Sequence, residues 1–298
     1  MTELTQRKWD AFPPPEESRG LRFLYHNPIG RVLLRLLRAR WVSRLAGAFM
    51  DSRLSKPLIR RFVKKNGIDL SEFESDSFRC FNDCFCRKIK EGLRPIDPDG
   101  DALIAPSDGL LSAYPINGDT VLPVKGSEYT ISSLLKDEAL AKRFEGGVCL
   151  VFRLCVNHYH RYAYPVDGEK GENRFIKGTL HTVRPIALRK SPVFVENCRE
   201  YTLIESERFG TVAQIEVGAM LVGKIKNHHG AKKVSRGEEK GTFLYGGSTI
   251  ILLLEKDAVK IPASLFENTE KGLEVPVKLG EAIGVSVNSS LRLESASV

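Results

Sequence analysis

The sequence predicts an α+β protein, in which N-terminal basic amphipathic helices precede a mainly antiparallel β core. Three observations predict it. Between residues 21 and 65, apolar positions (Ile29, Val32, Leu33, Leu34, Leu36, Leu37, Val42, Leu45, Phe49) are interleaved with five arginines from Arg31 to Arg44, a helical pattern with one charged face. From about residue 100, short apolar runs alternate with Gly, Pro and Asp, as strands alternate with turns. A single helical stretch, Ile131 to Phe144, interrupts those strands. Runs of strands with few helices between them favour antiparallel pairing over a doubly wound sheet.

Taken in order, the first twenty residues are polar and carry Pro13-Pro14-Pro15, unlike a secretory h-region. The arginine-rich stretch is interrupted too often to span a bilayer, which requires about 20 mostly apolar residues. It suits an anionic interface, with Trp41 beside it and a second basic run from Lys56 to Lys65. Near such a surface each Lys or Arg contributes roughly 1 kcal/mol. A helix packed on its own domain with a solvated basic face is the alternative. The composition shift divides the chain into a helical, membrane-associating region, 1–75, and a second domain, 76–298. The 298 residues are 42% hydrophobic and carry a net charge of +8, from 45 Lys and Arg against 37 Asp and Glu. That balance points to an anionic partner; no nucleic-acid-binding motif accompanies it, so a membrane is favoured. The six cysteines lack disulfide or zinc spacing, and no metal site is expected. Reduced thiols in a cytosolic protein fit best.

The plainest strands are Leu103 to Ala105, Leu110 to Tyr114, Thr120 to Val124, Val148 to Leu154, Thr211 to Ile225 and Thr242 to Leu254. Four stretches within this part bear chemistry. Pro106-Ser107-Asp108-Gly109 places a carboxylate in a tight turn, the ordinary reading of which is a hairpin. His158 and His160 stand two apart among aromatics, on one face if they lie on a strand. His228-His229 sits among lysines and reads as a solvated loop tip. Tyr245-Gly246-Gly247-Ser248-Thr249 precedes the apolar run Ile250 to Leu254, so Ser248 stands at a strand entrance. Paired glycines relax the backbone there. A hydroxyl beside such a bond can attack the Gly247 carbonyl, shift the acyl group from nitrogen to oxygen, and leave a pyruvoyl group after elimination and hydrolysis. By itself this stretch reads as a turn.

These pieces occur together with others in a fixed order. Phe81-Asn82-Asp83-Cys84-Phe85-Cys86-Arg87, Arg94-Pro95-Ile96-Asp97, Ala105 to Gly109, Lys125 to Thr130, Tyr159-His160-Arg161, Val183-Arg184-Pro185, Asn197-Cys198-Arg199, Val217-Gly218-Ala219 and Gly247-Ser248-Thr249 follow one another. In this the chain resembles the phosphatidylserine decarboxylases, a pyruvoyl-enzyme family, from about residue 20 to about 255. The resemblance implies a short bacterial-type proenzyme that cuts itself between Gly247 and Ser248. Its β chain is then 1–247 and its α chain 248–298, with Ser248 converted to the covalent pyruvoyl cofactor. It implies decarboxylation of phosphatidylserine to phosphatidylethanolamine through a Schiff base, at the cytoplasmic face of the cell membrane, by a peripheral enzyme made of its own two chains. The implied catalytic residues are Ser248, His160 and Asp108, the carboxylate orienting the histidine. Many members read YHR-x-H-x-P, where the second histidine completes a triad with the aspartate and serine; here that position is Ala163. His160 is the leading substitute, with His158 behind it. The alternatives are a pyruvoyl decarboxylase of another amino-acid substrate, an uncut membrane-binding scaffold and a basic nucleic-acid-binding module.

Overall fold

Among the described residues, helices α1 (Arg19–His26), α2 (Pro28–Leu37), α3 (Arg40–Asp51), α4 (Pro57–Asn66) and α5 (Phe81–Phe85) lead into the sheets. The structure is a computed structural model that describes residues 4, 9–14, 19–37, 40–118, 120–124, 127–178, 196–218, 225–245 and 248–287. Lys125, Gly126, Val183 to Pro185, Ala219, Gly246 and Gly247, singled out above, lie outside those residues. Pro57 opens α4, where its missing N–H would have no helical partner. Gly67 closes the helix at φ 61°, a left-handed position that suits glycine, and its N–H reaches the Val63 and Lys64 carbonyls. Among the described residues no helix is long and apolar enough to cross a membrane.

The strands are β1 (Ala102–Ile104), β2 (Gly109–Pro115), β3 (Thr120–Val124), β4 (Ser127–Thr130), β5 (Val148–Leu154), β6 (Arg161–Ala163), β7 (Gly168–Lys170), β8 (Arg174–Ile176), β9 (Arg199–Ser206), β10 (Gly210–Val217), β11 (Ile225–Asn227), β12 (Lys232–Val234), β13 (Glu239–Phe243), β14 (Ser248–Leu254), β15 (Val259–Lys260), β16 (Val275–Val277) and β17 (Ala282–Ser286). The largest sheet runs β12-β7-β9-β10-β14-β5-β2-β16, with β8 also on β9. Its described pairs are all antiparallel. The mainly antiparallel core follows the sequence expectation. Smaller sheets, β1-β17-β15, β11-β13-β6 and β3-β4, complete the fold.

Strand β14 is central because all seven of its residues are buried. Ile251 and Leu253 enter one core, with Ile131, Leu134 and Phe144. Ile250, Leu252 and Leu254 enter the other, with Tyr162, Phe243 and Leu150. A strand covered on both faces reads as a continuous apolar run rather than an alternation. Each such side chain contributes about 1.5–3 kcal/mol by leaving water.

Several boundaries differ from the sequence expectation. Ile131 to Phe144 is not one helix but α6 (Ile131–Leu135) and α7 (Glu138–Lys142). Lys136 between them takes a left-handed φ of 53°, and the Asp137 side chain caps the Leu140 N–H. Thr242 to Leu254 is two strands, β13 and β14, and Thr211 to Ile225 divides into β10 and the start of β11. The turn at Asp108 is no hairpin, since β1 pairs with β17 while β2 pairs with β5 and β16. It carries the chain from one sheet to another. His158 and His160 lie in the loop between β5 and β6, not on a strand, so the same-face argument does not apply.

Candidate active site

One edge of the large sheet collects the candidate residues. Asp108 immediately precedes β2, Ser248 is the first residue of β14, and β5 lies between them, ending at Leu154 opposite Ser248. Neighbouring strands sit about 4.8 Å apart, so the aspartate and serine ends of β2 and β14 flank the end of β5. The loop after β5 crosses this edge carrying both histidines.

His160 is fully enclosed. Its ring lies 3.9 Å, centroid to centroid, from that of Phe85, and its Nδ1 is 2.9 Å from the His158 carbonyl. A carbonyl only accepts, so the contact places the proton on Nδ1 and leaves Nε2 as a bare lone pair. Among the described residues that Nε2 has no hydrogen-bond partner, and neither has the buried Oγ of Ser248. Burial first, then the Arg87 guanidinium, holds the His160 pKa well below the ordinary histidine value. The imidazole is therefore neutral at pH 7.

The segment before Ser248 is clamped by α5. Asn82 accepts the Tyr245 N–H at 3.0 Å, and the Phe81 and Phe85 rings meet the Tyr245 ring edge-on at 4.8 and 5.4 Å. Asn82 is itself held by Asp51 at 2.7 Å. The Cys86 thiol, its pKa pushed up to about 11 by burial, donates to the Phe243 carbonyl. Phe85 thus touches both His160 and the chain leading to the serine.

Asp108 does not hydrogen-bond to either histidine. Arg94 donates to it twice, at 2.8 and 2.6 Å, and the Leu279 N–H donates a third bond at 2.9 Å. Donation to the Asp108 carboxylate raises the Arg94 pKa. Orientation of His160, expected from Asp108, comes instead from the His158 carbonyl. Asp108 acts on His158 through its field, opposing the downward shift that burial imposes there. The 94–97 stretch is seated by Asp97, whose N–H donates to the Gly280 carbonyl at 2.9 Å. Gly280 has φ 88°, and a Cβ there would come within 2.6 Å of the Pro95 carbonyl oxygen.

Behind this edge, Lys240 on β13 bonds both carboxylate oxygens of Glu216 on β10, each at 2.7 Å, with neither side chain exposed. Asn227 and Tyr162 complete the network. Burial pulls the Lys240 pKa down and pushes that of Glu216 up, against their mutual attraction. Sequence reasoning named neither this pair nor the Arg94–Asp108 contact. His228-His229 lies in the loop between β11 and β12, with His228 exposed as the sequence suggests; His228 Nδ1 is 3.4 Å from a Glu239 carboxylate oxygen, and the partly buried His229 sets its Nδ1 3.3 Å from the Tyr164 hydroxyl.

Two cavities adjoin the site. One of about 810 Å³ lies between residues 93–98, Asp108–Gly109, His158 and residues 276–282. The other, about 250 Å³, is lined by Lys88, Lys90, Arg161 and Ala163, and Arg94 borders both.

The family model for phosphatidylserine decarboxylase matches residues 81–285. A phosphatidylserine decarboxylase proenzyme 2 from Clostridium acetobutylicum is 42% identical over 89% of this chain and 91% of its own length. Phosphatidylserine decarboxylase proenzymes from Clostridium perfringens and Ruminiclostridium cellulolyticum are each 40% identical over 95% of this chain, covering 99% and 97% of their own. With Ser248, His160 and Asp108 gathered at one sheet edge and the match running through all of them, the chain belongs to the phosphatidylserine decarboxylase family.

Proposed function

We infer that this protein is a phosphatidylserine decarboxylase made as a proenzyme, cut by its own Ser248 and converting phosphatidylserine to phosphatidylethanolamine. The observation that carries the maturation step is the pair of buried, unpartnered atoms, Ser248 Oγ and His160 Nε2, at one sheet edge. A base-form imidazole and a hydroxyl without a competing partner are what activation of a serine requires. His160 accepts the Oγ proton as Oγ attacks the Gly247 carbonyl. The Gly247–Ser248 amide becomes an ester; removal of the residue-248 Cα proton then breaks the Cβ–Oγ bond, forms the Cα=Cβ double bond and releases the Gly247 carboxylate. Water displaces ammonia from the dehydrated residue, leaving a pyruvoyl group at the new terminus.

The residues present suit that group, because the strand entrance where it forms is enclosed and the nearest base is neutral. When formed, the group supplies a conjugated carbonyl that takes up the electron pair released with CO2. Everything else falls to side chains: Phe85 and Tyr245 exclude water, His160 moves protons at the residue-248 position, and the Arg94–Asp108 pair fixes the wall of the larger cavity. The catalytic domain is 76–298, and the mature enzyme is its 1–247 and 248–298 chains held together by β14 between β10 and β5.

Residues 1–75 are assigned to a peripheral contact with the cytoplasmic face of the membrane. Ile29 is 73% and Leu54 78% exposed, and Phe23, Val32, Leu45 and Phe49 are exposed as well. Apolar side chains left in water on basic helices fit an interface better than the domain's own core. Mass analysis tests the proposal. It should return two chains, the smaller of 51 residues (248–298) with a blocked terminus, and an uncut chain from Ser248→Ala. An intact wild-type chain would instead favour the scaffold reading that Ala163 raises.

A further inference from the structure

His158 is the histidine for which the maturation step above has no use. Its Nδ1 accepts the Cys155 N–H at 3.1 Å, which puts the proton of the neutral ring on Nε2. This is the opposite tautomer to that of His160. Among the described residues no group takes the His158 Nε2–H, while its carbonyl accepts from the His160 Nδ1–H. The residue is half-buried and lines the 810 Å³ cavity, with Asp108 beside it and an apolar wall that includes Leu93, Ile96, Pro276 and Leu279. That volume lies within the range of small-ligand pockets. It suits a lipid headgroup rather than a pair of acyl chains. Cys155, which anchors the ring, directly follows Leu154, the register partner of Ser248. The loop that carries the ring therefore leaves the sheet beside the residue that reacts.

We propose that His158 is a substrate-specificity residue, whose Nε2–H donates to the carboxylate of the amino-acid headgroup in this cavity. The proposal rests on the decarboxylase reading above. Of the three arginines near the ring, Arg94 is matched by Asp108 and Arg153 by Glu274, while Arg87, which does not line the cavity, gives its N–H groups to the Cys84, Asn157 and His158 carbonyls. An unpartnered neutral donor remains. A neutral donor orients a carboxylate without the strong ground-state attraction of a full ion pair, and such attraction would oppose loss of CO2. Asp108 nearby acts in the same sense, since its charge disfavours retention of a second carboxylate.

The test uses the mature protein and covalent capture of lipid on the small chain with cyanoborohydride, read by mass. Two probes separate the headgroup parts: phosphatidylserine carries the carboxylate, and phosphatidylethanolamine lacks it but keeps amine and phosphate. His158→Ala should mature to two chains, capture phosphatidylserine about tenfold less well, as for loss of one hydrogen bond to a charged group, and capture phosphatidylethanolamine as the wild type does. His158→Gln, which keeps an N–H donor and an acceptor for Cys155, should recover part of the loss. Equal losses with both lipids would assign the residue to the phosphate or to general architecture and overturn the proposal, as would no loss with either. Failure of both variants to mature would make His158 structural and overturn it too. A wild type that neither cuts nor captures amine lipids would instead defeat the decarboxylase reading itself.

Discussion

His160 owes its reactivity to which of its nitrogens holds the proton. The His158 carbonyl fixes Nδ1–H, so the free Nε2 lone pair is the basic atom, and burial keeps the ring neutral. His160→Ala should therefore abolish cleavage, while His158→Ala cuts at a near-normal rate; gel analysis after expression reads both. A His160→Ala chain that matures but fails in CO2 release would give the maturation base to another group. The depressed pKa also sets the pH profile. A base must be unprotonated, and this ring protonates below the ordinary value of about 6.5, so the cleavage rate should hold at about pH 6 and fall only in more acid solution. Stability follows the same sign: the contribution is complete above the unfolded value and is lost as pH falls towards the folded one. A rate that halves near pH 6.5 would contradict the burial argument. Asp108→Asn tests the other side of the site. An amide cannot match the Arg94 guanidinium as a carboxylate does, so the variant should fold but mature slowly; normal cleavage would reduce Asp108 to a turn residue.

At the scale of elements, β13 and β14 are strands flanking one bond, and the two are tied down differently. Strand β14 is fixed by apolar burial on both faces, whereas β13 is fixed by the Glu216–Lys240 pair. Removing one partner leaves a buried charge uncompensated, so Lys240→Met should cost about 3–5 kcal/mol in urea unfolding, and the double variant Glu216→Leu/Lys240→Met markedly less. Equal losses in both would mean that the pair adds nothing beyond packing. Strands β5 and β14 were legible in the sequence because a continuous apolar run has few other readings. Three-residue strands such as β6, β7 and β11 were not, since two turns of alternation carry no period. The break at Lys136 left a trace in Asp137, an N-cap residue one turn ahead of Leu140, which the apolar pattern around it masked. Ser248, Asp108 and His160 were readable as motif residues. The partners that set their chemistry were not: Arg94 meets Asp108, and the His158 carbonyl meets His160, only through tertiary folding, and a main-chain acceptor leaves no mark in side-chain identity.

For the whole molecule, the substrate's insolubility sets the main constraint, because a headgroup must be taken from a surface by a protein without a described spanning helix. Helices α1 to α4 contain a large share of the exposed apolar side chains, Phe23, Ile29, Val32, Leu33, Leu45, Phe49 and Leu58 among them. Leu24 of α1 packs against the core beneath the sheet, which would hold the helical region to the catalytic domain while leaving its exposed apolar residues free. Attachment then has two parts that respond differently to salt. The arginine contribution is screened, with a Debye length of about 10 Å at 0.1 M and about 3 Å at 1 M, whereas burial of Ile29 or Leu54 in the interface is not. The protein should sediment with anionic vesicles, lose most of that binding at 1 M salt when Ile29 and Leu54 are also replaced by Ser, and retain a residual fraction when they are not. Replacing Arg31, Arg35, Arg38 and Arg44 with Glu should release the protein at low salt, yet leave cleavage at Gly247–Ser248 intact, because the maturation site lies on the sheet edge. Unchanged vesicle binding in the arginine variant would return these helices to the protein's own architecture, and loss of cleavage with it would show that the two regions do not act separately.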